Sequence, residues 1–371
     1  MKSSGVPILL LSALAAAVSC RSGAGSEAES AIPYVRSVLS NPEGREYRLL
    51  ESFDPSRRDA AIYVVGDLQS CLLATGDLSE ADDRDNIDAL PGSDLLPDFA
   101  GETIALFADV AGGAHDSLLL DGRGDVLREL TVRSVLKCLD TLCYLSPFDA
   151  DGLGHKSHAK IVVLADPAAA FYGMYDVDSL LSATRCALPV VSPLYTLSRE
   201  MIVSDGLNVG VIAPEQRAQS GMYADVFLKA AAMGGFADVS CTAYPAQMQG
   251  DILLNYLDRY IEDGHTRPLD FLLVDVPGVD IEAMTATLER VRSVMNEESL
   301  RYASCIAPDF RFVQTSSVLR RECYNLLRER NLFTHRIAYP LVERYLNVSR
   351  SSSDELDDNI LIEFNSRFIP Q

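Results

Sequence analysis

Short apolar runs rich in β-branched residues recur along this chain, each closed by glycine, proline or aspartate. AAIYVVGD (60–67), ETIALFADVAGG (102–113), AKIVVLADP (159–167), LNVGVIAP (207–214) and LDFLLVDVPG (269–278) are the clearest. A strand with no polar face must be covered on both sides, as in a parallel sheet. Between these runs lie amphipathic helical stretches. The stretch 125–145 carries Leu127, Leu130, Val135, Leu139 and Leu142 at helical spacing. Others are 220–235, ended by a glycine pair, 250–264, 281–296 and 317–330. Shorter strands are expected at 187–193, 237–245 and 358–366. Strands alternating with helices give an α/β fold whose parallel sheets have helices on both faces.

The polar stretch 193–206 divides the alternation in two, so two lobes are expected. The reading is a signal over 1–19, a tether and N-terminal segment over 20–58, and a first α/β lobe over 59–198. A second α/β lobe follows over 199–335, then a C-terminal segment over 336–371.

The first twenty residues are a separate unit. Lys2 precedes a nearly unbroken apolar run from Val6 to Val18, too short to span a bilayer, and small residues follow. This is the pattern of an exported chain's signal. Ala17-Val18-Ser19-Cys20 resembles a lipobox, which implies lipidation of Cys20 and a mature chain that begins there. Ala15-Ala16-Ala17 also fits ordinary cleavage and secretion. Arg21 stands where an aspartate would favour the inner membrane, so the outer membrane of a bacterial envelope is the expected location.

Roughly 350 residues remain after the signal, enough for two ordinary domains. No second long apolar run is present, so the membrane is expected to be met through the lipid alone. A formal charge of −21 argues against nucleic acid as a partner. The acid-rich stretch 79–98 reads as a solvated loop. Beyond Cys20 lie Cys71, Cys138, Cys143, Cys186, Cys241, Cys305 and Cys323, mostly in apolar surroundings that suit small buried side chains. Cys138 and Cys143 are read as sharing one helix, about 140° apart, and so unable to bond.

RCALPVVSPLYTLSREM (185–201) is similar to the segment that closes the first lobe of type I periplasmic binding proteins, especially their amino-acid-binding branch. The strand–helix–strand order from Leu207 to Pro245 and on to Pro277 resembles their second lobe. IALFADVAGG and DGRGDVLRELTVRSVLKCL look like their first strand, loop and helix. The resemblance covers roughly 100–340 and implies a small polar solute held between two lobes. It places Ser192 and Thr196 against that ligand, with Tyr195 where the family often has a small residue.

Ligands of open parallel sheets sit beyond the carboxyl ends of the strands. Those ends offer Asp109, Asp166-Pro167, Ser192 to Thr196, Pro214 to Gln216, Tyr244 and Asp275. The candidate ligand-binding set is therefore Ser192, Tyr195, Thr196, Asp109, Gln216, Tyr244 and Asp275. Any of these polar side chains could instead cap a helix or brace a turn.

Catalytic patterns are sparse. No G-x-S-x-G, H-E-x-x-H, P-loop or complete G-x-G-x-x-G occurs. Asp149, Asp151 and Gly152 resemble the start of a calcium loop that is never completed. His155 and His158 lack a third zinc ligand, so no metal and no cofactor are expected. The reading is a lipid-anchored binding protein that captures a small polar solute and is not an enzyme. One alternative is an envelope lipoprotein using the same fold as a protein-interaction module, for example in peptidoglycan synthesis. Another is an enzyme with His115 and Asp116 as acid and base.

Overall fold

The computed structural model describes residues 31–86, 90–146, 152–294, 296–336, 338–350 and 356–364. Cys20, Asp149 and Asp151 lie outside them. Two short helices, α1 (Pro33–Ser40) and α2 (Arg45–Glu51), lead into β1 (Ala61–Gly66) and α3 (Leu68–Glu80). Next come β2 (Thr103–Asp109), α4 (His115–Leu120), α5 (Gly124–Leu139), β3 (Leu142–Tyr144) and β4 (Leu153–His155). Then β5 (Ala159–Leu164), α6 (Pro167–Thr184), β6 (Val190–Val191) and α7 (Pro193–Met201) complete the first half. The second half opens with β7 (Asn208–Ala213), α8 (Glu215–Gln219), α9 (Met222–Gly234), β8 (Ser240–Pro245) and α10 (Ile252–Glu262). It continues through β9 (Leu269–Val274), α11 (Ile281–Ser293), α12 (Glu297–Ala303) and β10 (Ile306–Val313). The chain returns through α13 (Thr315–Glu329), β11 (Leu341–Ser349) and β12 (Asn359–Glu363).

These strands make two sheets. The larger has the order β4-β3-β12-β11-β2-β1-β5-β6, and the smaller β10-β9-β7-β8. Every pairing in the smaller sheet is parallel. In the larger sheet, β11–β12 and β3–β4 are antiparallel and the other pairings parallel. The α/β class with helices on both faces is what the alternation of runs predicts.

Side-chain alternation sorts each strand between two cores. Ala61, Tyr63 and Val65 pack with Val35 of α1, Leu50 of α2, Val135 of α5 and Val177 of α6. Ile62 and Val64 point the other way, onto Cys71 and Leu78 of α3 and Leu319, Cys323 and Leu327 of α13. In the smaller sheet Val209, Val211 and Ala213 meet Leu194 of α7 and Phe227 of α9. Ile212 and Leu272 face Leu253 and Leu257 of α10 and Leu288 of α11. Each Val, Leu, Ile or Phe among them, fully buried, stabilises the fold by about 1.5–3 kcal/mol.

Two local expectations change. The helix expected over 125–145 stops at Leu139, because the Asp140 side chain accepts the N–H groups of Thr141 and Leu142. The chain then turns into β3, so Cys138 and Cys143 share no helix. All seven described cysteines are free thiols, five of them buried. The last part of the chain returns to the larger sheet: α13 packs on α3 and α7, and β11 lies beside β2. Among the described residues no helix is long and apolar enough to cross a membrane.

Candidate active site

Three strand ends of the larger sheet carry an aspartate each. β1 ends at Gly66, and Asp67 caps α3 by accepting from Ser70 N–H at 2.8 Å. β5 runs into Asp166, which caps α6 by accepting from Ala168 N–H at 3.0 Å. Gly66 lets the two ends approach, since a Cβ there would lie 2.7 Å from the Asp166 Cβ. Asp109 ends β2 and accepts from Ser134 Oγ and Asn347 Nδ2, each at 3.0 Å.

The smaller sheet supplies the cation. Just past β7, the short helix α8 delivers Arg217, whose side chain is only 9% exposed. Its guanidinium donates to Asp67 at 2.7 Å and to Asp116 of α4 at 2.8 Å. It also lies 3.4 Å from Asp166 and 3.9 Å from Asp275, the residue that follows β9. One planar fork of donors thus joins carboxylates from both sheets. Tyr223 of α9 donates its hydroxyl to Asp275. His115, at the start of α4, donates from Nδ1 to Asp166.

The charges sort unequally. Burial opposes ionisation of Asp166, but Arg217 and His115 outweigh it and hold the carboxyl down at about 2. For Asp275 burial prevails over Arg217 and the Tyr223 hydrogen bond, pushing it up to about 6. His115 is pulled down by burial and lifted further by Asp166, to about 9. Burial works against the Arg217 charge, yet Asp166, Asp275 and Asp116 raise its proton affinity above that of a free guanidinium.

Arg217 stands between two cavities of ligand size. One, about 390 Å³, is lined by Asp67, Asp109, His115 and Asp116. The other, about 380 Å³, is lined by Asp275, Gly278 and the first turn of α13 from Gln314 to Ser317. That turn has no side-chain cap, and N–H groups of a helix's first turn lack intrahelical partners. His115 Nε2 is buried and meets no acceptor in the protein.

Asp67, His115 and Asp166 offer ligand atoms within 4.8 Å of one another, so a metal ion could be held there. It would have to displace the Arg217 contact to Asp67 and a proton held up to about 9. The donor set suits proton chemistry better than metal chemistry.

Of the residues expected from sequence, Asp109 and Asp275 line these cavities. Ser192 is a buried cap of α7, accepting from Tyr195 N–H. Tyr195 packs between two cores and donates to the Phe171 carbonyl at 3.4 Å. Thr196 is a half-buried residue of α7, and Gln216 a half-buried one of α8. Tyr244 is buried on the edge strand β8 and donates to Asp263 at 2.6 Å, away from both cavities. His115 takes Asp166 as its partner rather than Asp116, which turns to Arg217. Sequence reading missed Arg217, Asp67 and Tyr223. Only the position of Arg217, four residues past an apolar strand, hinted at it.

No family model matches the chain, and no curated protein is similar to it. Among solved structures it is similar to glutamate racemase from Francisella tularensis subsp. tularensis SCHU S4 in complex with D-glutamate. The identity is 15%, over 78% of this chain and 89% of that one, with a TM-score of 0.43. A glutamate racemase isoform from Bacillus anthracis gives 13% identity over 80% of this chain and 91% of that one, TM-score 0.43. The TorS sensor domain–TorT complex without ligand gives 12% identity over 84% and 100%, with a TM-score of 0.25. The expected kinship with type I periplasmic binding proteins is therefore corrected: the stronger likenesses are to racemases. Solute capture and the ligand-free interaction module rested on that kinship and are withdrawn with it, as is the reading that the chain is not an enzyme. The physical reason is visible in the site, where Arg217 ties the strand ends of both sheets together and Ser192 is spent as a helix cap.

Proposed function

We propose that this chain is an enzyme of the isomerase class that moves a proton at a carbon next to a carboxylate in a small polar substrate. One observation carries the reading. Asp166 and Asp275 flank a single guanidinium, yet one is held down at about 2 and the other pushed up to about 6. Carboxyl groups driven apart in this way mark different roles, Asp275 the base and Asp166 the fixed counter-charge that keeps His115 protonated.

The substrate carboxylate would sit on the first turn of α13, where N–H groups and the helix dipole favour an anion. Asp275 then takes the proton as the C–H bond breaks. The electron pair passes into the substrate carboxylate, whose growing charge Arg217 stabilises. Return of the proton from Asp275 gives exchange alone. Delivery of a proton to the opposite face, for which protonated His115 of the neighbouring cavity is the candidate donor, would give inversion.

The test is proton NMR in D2O with the enantiomers of a panel of amino acids and 2-hydroxy acids. Deuterium should enter the α position of at least one compound, and Asp275→Asn should slow this at least ~100-fold. A folded protein that exchanges none of them contradicts the proposal. The location remains part of the same proposal: acylation of Cys20 would hold the enzyme on the cell envelope, and Cys20→Ser should release it.

A further inference from the structure

A third cavity, of about 410 Å³, lies between α2, α5, β3 and β12. Lys137 of α5 and Asn359 of β12 form its floor. The Lys137 ammonium donates to Asn347 Oδ1 at 2.6 Å and to the Asn359 carbonyl at 2.9 Å, both neutral acceptors. Among the described residues no carboxylate neutralises it at contact distance. Burial holds its proton affinity down to about 8, more than the nearby Asp109 charge can offset.

A second observation points the same way. Asn359 is 8% exposed, and its Nδ2 is buried with no acceptor. A buried amide donor left unpaired costs about 1–3 kcal/mol, so an acceptor is the missing partner. Arg133 and Arg350 line the same space, over the rings of Tyr34 and Tyr144 respectively. Asp140 at the rim is taken by Arg45 at 2.5 Å, while Glu46 and Asp358 stand on the lining as well. In a chain of formal charge −21, a cavity floored by an uncompensated ammonium and an orphaned amide is an exception.

We infer that this cavity is an oxyanion-binding site, separate from the Arg217 cleft, that takes a small molecule carrying a phosphate or carboxylate group on Lys137 and Asn359. Arg133 is held by Glu129, so Arg350 is the guanidinium that would close over the same group, since its fork suits carboxylate and phosphate oxygens. The site is independent of the proton-transfer reading. Its floor nevertheless touches the cleft, because Asn347 accepts from Lys137 and donates to Asp109.

Isothermal titration of the full chain with inorganic phosphate, pyrophosphate and succinate, at low ionic strength, tests it. At least one of the three should bind, with the phosphates and succinate distinguishing the two anion classes. Lys137→Met should weaken that binding by about tenfold or more. Arg350→Gln, at the exposed rim, should weaken it by a smaller factor, and decides the matter if Lys137→Met does not fold. Asp275→Asn should leave binding unchanged, so failure of the cleft chemistry and failure of this site are told apart. No binding of any probe, or equal binding by wild type and both basic-site variants, would overturn the inference.

Discussion

Asp166 and Asp275 follow parallel strands of two different sheets and meet at one guanidinium, 3.4 and 3.9 Å from Arg217. Asp166 has a second cation in His115, and Asp275 has only the Tyr223 hydroxyl. That difference separates their protonation, and the predictions below follow from it.

Asp275→Asn should stabilise the protein at neutral pH while removing its activity. The folded state raises this carboxyl from its ordinary 3.8 to about 6. Its contribution is fully present below pH 3.8 and is lost as pH rises through 6. An amide keeps the hydrogen bond from Tyr223 without the buried charge. Urea denaturation at pH 7.5 should show a gain of about 2 kcal/mol over wild type. A loss of stability would mean that the charge is wanted there for packing.

The His115–Asp166 pair predicts a further loss of stability on the alkaline side. His115 is raised from 6.5 to about 9, so its contribution is complete below pH 6.5 and disappears as pH climbs through 9. Asp166, lowered to about 2, contributes above 3.8 and fails only as pH falls toward 2. Wild type should therefore lose stability between pH 6.5 and 9, and His115→Gln should lose less. Parallel curves for the two proteins would count against the ion pair.

Arg217→Met should be among the most damaging single changes, by about 3–5 kcal/mol. It leaves Asp67, Asp116 and Asp166 without their shared cation in a largely buried place. Arg217→Lys should recover only part of this, because an ammonium cannot span the same carboxylates. Thermal or urea unfolding of both variants measures it.

How much of this could be read from the chain varies by level. The runs around Val64, Val163, Val211 and Leu272 declared parallel strands covered on both faces, and the strands are there. Asp109 and Asp275 were legible because strand-end aspartates of a parallel sheet face the ligand side. Arg217 was not, because its partners Asp67 and Asp116 lie 150 and 101 residues away in sequence. Ser192 misled for a local reason: a serine before proline at a helix start is equally a cap and a ligand contact. The return of β11 beside β2 rests on pairings such as Tyr345 with Phe107, which no periodicity announces.

Gly66→Ala tests the approach of the two strand ends. A Cβ at residue 66 would stand 2.7 Å from the Asp166 Cβ and 2.9 Å from its backbone nitrogen. Asp166 must move away from Arg217 and His115, at about 1–3 kcal/mol. The His115 imidazole should then titrate below 9 by NMR. An unchanged titration would show that the close contact is not needed to hold the pair.

The most direct measurement is a carboxyl carbon NMR titration of protein labelled at the aspartate side chains, with Asp166→Asn and Asp275→Asn providing the assignments. The account predicts one resonance that titrates near 6, missing from Asp275→Asn, and one near 2, missing from Asp166→Asn. Both carboxyls titrating together below 4 would contradict it, because Asp275 would then be only another partner of Arg217 and not a base poised for proton transfer.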